Sequence, residues 1–236
     1  MSELGRPLVI AHRGASGLAP ENSLAAFALA VELGADRIEI NVRLARDGVP
    51  VVMHDATVDR TSDGGGRVSD LTWDELRRLR LRPKRGEDPA LLGLPSLEQT
   101  LEHARLPLCV ELKSERHEPE LARAVVALLA QANLLESAWI WSFDWRDLAA
   151  VGEHSSVVKR GALALRWPGE EAMRCAELLV PFVGHQLLVR GRPARYEGWP
   201  VVVWTVNRLW MARRLAAQGV DGLVSDWPDR LLTLWP

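Results

Sequence analysis

The sequence predicts an α/β chain folded as one TIM, or (β/α)8, barrel with a small inserted subdomain after the second strand. Three observations carry this reading. Short β-type runs alternate with helical patterns along almost the whole length, which implies right-handed crossovers and a parallel sheet. Eight strand candidates occur in 236 residues, a number and length that suit a closed barrel better than an open sheet. Two of those strands carry polar residues on the face that a barrel turns inward.

The β-type runs occupy residues 7–12, 37–44, 106–113, 138–143, 157–165, 177–183, 200–206 and 222–225. Segments with helical periodicity lie between most of them, at 22–33, 97–104, 119–135, 145–151, 170–176 and 208–218. One segment, 56–94, breaks this rhythm. It holds a glycine cluster at 64–66 and a predicted helix over 72–81, capped by Ser69 or Thr72. A connection this long is usually functional, and it is read as an insertion on the barrel rim. Its basic residues Arg77, Arg78, Arg80, Arg82, Lys84 and Arg85 form either a solvated face or an attractor for anions. No repeat and no linker-like shift in composition divides residues 1–236, so they are assigned to one domain.

Polar residues on the strands carry the chemistry. In 37–44, Ile38, Ile40 and Val42 share one face, and Glu39, Asn41 and Arg43 the other. In 108–113, Leu108, Val110 and Leu112 oppose Cys109, Glu111 and Lys113. The aliphatic face meets the helices, so the polar sets point into the barrel. Buried carboxylates are costly unless paired or bound to a metal. Two inward glutamates near strand carboxyl ends therefore suggest a cation site at the catalytic mouth. The alternative is a metal-free ion-pair network served by Lys113 and Arg43. His12 and His54 each stand where a β run gives way to a loop, and beside inward carboxylates they make a candidate acid/base pair. His103, His117 and His154 are read as surface, and His185 as a wall of the pocket.

Composition narrows the function classes. Hydrophobic residues make up 47% and charged residues 25%, which excludes disorder, collagen and a disulfide scaffold. A net charge of −2 gives no global reason to expect nucleic-acid binding. Cys109 and Cys175 are read as buried thiols in a reducing compartment. The apolar run at 8–11 stops at His12, and Arg123, Gln131 and Asn133 interrupt the stretch 121–135. Neither suits a signal peptide or a span, so no stable membrane insertion and a cytoplasmic location are expected.

The motifs His12-Arg13-Gly14, Pro20-Glu21-Asn22-Ser23, Glu39-Ile40-Asn41, Asp47-Gly48, Met53-His54-Asp55, Asp59-Arg60-Thr61, Leu94-Pro95-Ser96, Glu111-Leu112-Lys113, Trp204-Thr205-Val206-Asn207 and Ser225-Asp226-Trp227-Pro228 occur in a set order over nearly the entire chain. In this the sequence resembles the glycerophosphodiester phosphodiesterase family. The resemblance implies a TIM barrel that hydrolyses a small-molecule glycerophosphodiester to glycerol 3-phosphate and an alcohol with Mg²⁺ or Ca²⁺. It implies that His12 and His54 are the catalytic pair, and that Glu39 and Glu111 are metal ligands. Arg13 and Lys113 match phosphate contacts, and Trp204 matches an aromatic wall of the glycerol pocket. Plainer roles remain open: Arg13 as an ion-pair partner of Glu21 or Asp226, and Trp204 as core. The preferred order takes His12 as base and His54 as acid.

Asn41 departs from the family, which usually has Glu-x-Asp on the second strand. Asparagine keeps the shape and offers a carbonyl oxygen, so Asn41 is expected to join Glu39 and Glu111 in a weakened cation site. Two other readings stay open, the first from this loss of charge and the second from the basic residues of 56–94. One is a catalytically weakened or inactive barrel that binds phosphodiesters. The other is a phospholipase D-like enzyme acting on lipid head groups.

Overall fold

The computed structural model describes residues 5–114, 117–182 and 197–235. Strand β1 (Leu8–Ala11) pairs in parallel with β2 (Arg37–Leu44), which also carries the short antiparallel strand β3 (Pro50–Val52). The ring continues from β2 through β4 (Leu108–Leu112), β5 (Trp139–Ser142), β6 (Lys159–Ala164) and β7 (Leu178–Pro181). On the other side of β1 lies β9 (Gly222–Ser225), followed by β8 (Val202–Val203). Parallel bridges Leu179–Val201 and Phe182–Trp204 join β7 to the β8 segment and close the barrel. The expected eight-stranded parallel barrel is therefore present, with β3 outside the ring.

Alternation along the strands builds two apolar regions. The outward set Ile38, Ile40, Val42, Leu108, Val110 and Leu112 packs beneath α1 (Leu24–Glu32), α3 (Leu97–His103) and α4 (Pro119–Gln131). Helix α4 presents Leu121, Ala122, Val125, Val126 and Leu129 as one buried stripe. Each large aliphatic side chain buried there contributes roughly 1.5–3 kcal/mol. Ser23 starts α1 by accepting the Ala26 N–H at 3.0 Å. The inward set Ile10, Cys109, Trp141, Leu163, Val180, Val202 and Val224 fills the lumen. Trp141 fits because Gly161 faces it: a Cβ there would stand 2.3 Å from the indole. Burial pushes the Cys109 thiol up to about 12, and both cysteines are free.

Tertiary contacts redraw several expected boundaries. The helix expected over 119–135 stops at Gln131, and Asn133, at φ 57°, turns the chain left-handed. The helix expected at 145–151 runs on to His154 as α5 (Trp145–His154). Helix α6 (Glu170–Arg174), α7 (Leu209–Ala217) and α8 (Pro228–Leu232) complete the outer layer. The expected helix over 72–81 shrinks to α2 (Trp73–Leu76), capped by Thr72 with Glu75 as reciprocal partner. Beyond it, bridges Arg80–Gly93 and Ser62–Leu81 draw the chain into extended pairing. Residues 56–94 pack Val58, Val68, Leu76, Leu81 and Leu94 against Ala45, Val51 and Met53 of the β2–β3 hairpin. Their basic residues are mostly engaged: Arg77 and Arg78 pair with Asp74, Arg82 bonds the Ser62 carbonyl, and Lys84 the Ser16 carbonyl. Among the described residues no helix is long and apolar enough to cross a membrane. His185 and the end of the strand expected at 177–183 lie outside the described residues.

Candidate active site

The carboxyl ends of β1 and β4, the inward face of β2 and the turn after β3 bring His12, Arg13, Glu39, His54, Glu111 and Lys113 to one cavity of about 90 Å³. Trp141, Phe143, Leu163 and Trp204 form its apolar wall. Trp204 meets Phe143 and Phe182 edge-on, at centroid separations of 5.6 and 5.2 Å. Its indole N–H donates to the Val180 carbonyl at 2.9 Å.

Glu39 and Glu111 are buried, and one amide group spans them. Asn41 Nδ2 donates to Glu39 Oε1 at 2.7 Å and to Glu111 Oε2 at 2.9 Å. The Arg13 backbone N–H donates to Glu39 Oε2 at 2.8 Å, an arrangement reached with Arg13 at φ 57°. Strained backbone of this kind gathers at functional sites. Lys113 Nζ lies 2.7 Å from Glu111 Oε1. Burial raises the Glu111 carboxyl above its ordinary range; Lys113 opposes the rise and Glu39 adds to it. The pair thus has the chemistry of a hard-cation site: two converging oxygen donors whose negative charge is short of compensation. Asn41 does not take the ligand role expected for it. Its oxygen accepts from Asn22 Nδ2 at 2.9 Å, and its nitrogen faces the carboxylates.

Each histidine leans on a carboxylate. His12 Nδ1 lies 2.6 Å from Asp226 Oδ1, and its Nε2 lies 3.9 Å from Glu39. Asp226 is held by Ser16 Oγ and by Asn207 Nδ2 at 2.6 Å. Burial would raise the Asp226 carboxyl, but the His12 hydrogen bond and charge, helped by Asn207 and Ser16, bring it down to about 2. His54 Nδ1 lies 2.7 Å from Asp55. Burial, with the charges of Lys113 and Arg13, lowers His54 to about 4 against the opposing pull of Asp55. At neutral pH the His54 ring is therefore uncharged.

An ion-pair belt joins the two histidine shoulders. Arg13 pairs with Glu21 at 2.7 Å, Glu21 with Arg60 at 2.7 Å, and Arg60 with Asp55 at 2.6 Å. Burial would raise Glu21, yet Arg60 and Arg13 hold it at about 2. The plainer role weighed for Arg13, pairing with Glu21, is thus present, while Arg13 also lines the cavity. Arg43 pairs with neither glutamate in the way the metal-free network required. It donates to the backbone carbonyls of His54 and Lys113, tying those two segments together. His117, read as surface, lies 3.0 Å from the buried Asp147, which also accepts from Ser114 and Ser142. That cluster anchors Ser114, the neighbour of Lys113, to Asp147. The sequence reading missed Asn207, Asn22 and Arg60 as supports, and weighed Glu21 and Asp226 only as partners of Arg13, not as props of the histidines. Their signal was their presence in the ordered motifs.

Comparison with known proteins finds relatives in family and fold. The model of the glycerophosphoryl diester phosphodiesterase family matches residues 12–230. A glycerophosphodiester phosphodiesterase of Caldanaerobacter subterraneus is 37% identical over 239 aligned positions, covering 97% of this chain and 98% of that protein. The solved structure of an Oleispira antarctica phosphodiesterase in complex with the product sn-glycerol-3-phosphate superposes with a TM-score of 0.85. It shares 30% identity and covers 97% of this chain and 96% of its own. A glycerophosphodiester phosphodiesterase from Parabacteroides distasonis gives a TM-score of 0.79 at 27% identity, with 97% and 96% covered.

Proposed function

The chain belongs to the glycerophosphoryl diester phosphodiesterase family, and from that premise we propose that it hydrolyses glycerophosphodiesters to glycerol 3-phosphate and an alcohol. The observation that carries the reading is the convergence of two histidines, two buried carboxylates and two cationic side chains on one cavity with an aromatic wall.

A phosphodiester is anionic and resists nucleophiles. Catalysis requires neutralising its non-bridging oxygens, deprotonating the attacker and protonating the leaving alkoxide. Arg13 and Lys113 supply positive charge beside the phosphate position. Glu39 and Glu111 would hold a divalent cation, and such a cation, when bound, polarises phosphoryl oxygens. The apolar face of Trp204 offers the glycerol carbons a wall.

The electrostatics favour an order of proton transfer opposite to the sequence expectation. His54 is uncharged at rest and so is ready to take the attacker's proton. His12 is held by its hydrogen bond to the ionised Asp226 and takes the complementary role, giving a proton to the leaving oxygen. The attacker is water, or the substrate's own 2-hydroxyl, which expels the alcohol to form a cyclic phosphate that water then opens to glycerol 3-phosphate. The test is release of glycerol 3-phosphate from glycerophosphocholine with Ca²⁺, Mg²⁺, Mn²⁺ or a chelator. His12→Ala and His54→Ala should abolish release while the protein stays folded. Binding of glycerophosphocholine without release under every condition would instead identify a phosphodiester-binding barrel.

A further inference from the structure

The orientation of the Asn41 amide follows from a backbone donor. The Asn41 N–H can only donate, so the Asn22 atom facing it, at 3.3 Å, is Oδ1. Asn22 therefore turns Nδ2 toward the Asn41 side chain, and the atom it meets at 2.9 Å is the Asn41 oxygen. The remaining atom, Nδ2, is the one aimed between Glu39 and Glu111. A flipped amide would press an oxygen against two carboxylate oxygens and a nitrogen against the Asn22 nitrogen. An aspartate at this position would keep the bond to Asn22 and turn its second oxygen to the carboxylate pair. Asparagine places a hydrogen-bond donor there instead.

Three of the four carboxylate oxygens consequently accept hydrogen bonds from the chain itself, Asn41 on one oxygen of each and the Arg13 N–H on Glu39, while the fourth, Glu111 Oε1, has the Lys113 ammonium 2.7 Å away as an ion-pair partner and no hydrogen bond. Among the described residues, no group of three or more histidine, cysteine, aspartate or glutamate side chains is placed to hold one metal ion. A cation arriving alone meets two formal negative charges, a fixed N–H donor and the Lys113 ammonium. We propose that this site takes up a divalent cation only jointly with a phosphate-bearing ligand. A phosphate draws Lys113 away from Glu111 and contributes the oxygens that Asn41 does not.

This inference rests on the hydrolase reading and deepens it: cation and phosphate ligand are thermodynamically coupled, each tightening the other by the same factor. In a chain with aspartate at position 41, the cation would bind in the absence of phosphate.

The experiment is isothermal titration of Ca²⁺ into the full-length protein, with and without saturating glycerol 3-phosphate, corrected for direct association of Ca²⁺ with glycerol 3-phosphate. The expected result is a Ca²⁺ affinity raised about tenfold or more by glycerol 3-phosphate, within the usual range of coupling between sites. Asn41→Asp should tighten Ca²⁺ in the absence of glycerol 3-phosphate by roughly 10–100-fold, the scale on which groups around a metal tune affinity. It should also shrink the coupling. A second variant guards against misfolding of the first: Lys113→Met should tighten Ca²⁺ alone several-fold and weaken its coupling to glycerol 3-phosphate. Thermal unfolding of Asn41→Asp should show a midpoint depressed in chelator and restored by Ca²⁺. Equal Ca²⁺ affinity with and without glycerol 3-phosphate, or no tightening in Asn41→Asp, overturns the proposal. If glycerophosphocholine is still hydrolysed in that case, only the coupling falls and the hydrolase reading stands. Absence of both hydrolysis and glycerol 3-phosphate binding removes the hydrolase reading itself.

Discussion

Replacing Asp226 with asparagine keeps its shape and removes one charge beside His12. Asp226 Oδ1 accepts from His12 and Ser16, and Oδ2 accepts from Asn207 Nδ2. The Asn207 amide cannot turn, because its oxygen accepts the Asp226 backbone N–H at 3.0 Å. An asparagine at 226 has one acceptor for two opposed donors. It either loses Asn207 or forces His12 into the other tautomer. A carboxyl group held at about 2 rather than 3.8 contributes at most ~2–3 kcal/mol of stability. Asp226 is 30% exposed, so solvent screening reduces this to ~1–2 kcal/mol. The sign follows from the lowered value. The contribution is present above the ordinary carboxyl pKa and is lost as pH falls through about 2. Urea unfolding at pH 7 should therefore show Asp226→Asn less stable by ~1–2 kcal/mol. The wrong tautomer costs more in catalysis, on the order of 10²–10⁴ in kcat for release of glycerol 3-phosphate. A folded Asp226→Asn protein with kcat within about threefold of the parent would refute the role given to this pair.

Four other outcomes are expected. Because His54 is held near 4, the acid limb of kcat/KM should lie closer to pH 4 than to 6.5, and Lys113→Met should move it upward by removing a positive neighbour. The same lowering means that the fold prefers the neutral ring: its share of stability is full above the unfolded value of ~6.5 and is lost as pH falls toward 4, a slope that urea titrations of His54→Asn should lack. Gly161→Ala would set a methyl group 2.3 Å from Trp141 and should cost ~1–3 kcal/mol, lowering Tm by roughly 3–10 °C in a calorimetric scan, with partial rescue by Trp141→Phe. Trp204→Ala removes two edge-on aromatic pairs and the cavity wall, and should raise KM for glycerophosphocholine several-fold with a smaller change in kcat.

What the sequence made legible was the local periodicity. Alternation in 37–44 and 108–113 separated Glu39, Asn41, Glu111 and Lys113 from their aliphatic neighbours, because a strand sends successive side chains to opposite faces. The barrel then needed only the order of elements. Less legible were features set by distant partners. The shortness of α2 is enforced by bridges to Ser62 and Gly93, which helical propensity does not register. His12 and Asp226 are 214 residues apart, and Arg60 and Glu21 are 39 apart, so neither pairing has a local signature. Arg43 shares a strand face with Glu39, yet at the strand's end its long side chain reaches the backbone carbonyls of His54 and Lys113. The identity of Asn41 was plain in the sequence; which of its two terminal atoms faces the carboxylates was not, since that depends on Asn22.

The belt running Arg13–Glu21–Arg60–Asp55 has a consequence for anyone altering this protein. Because one guanidinium clasps acids that serve opposite flanks of the mouth, a substitution at Arg60 disturbs both flanks at once, and its effect will not add to that of a change at Glu21 or Asp55. The two imidazoles inherit a shared foundation: retuning either one in isolation requires leaving these four residues alone.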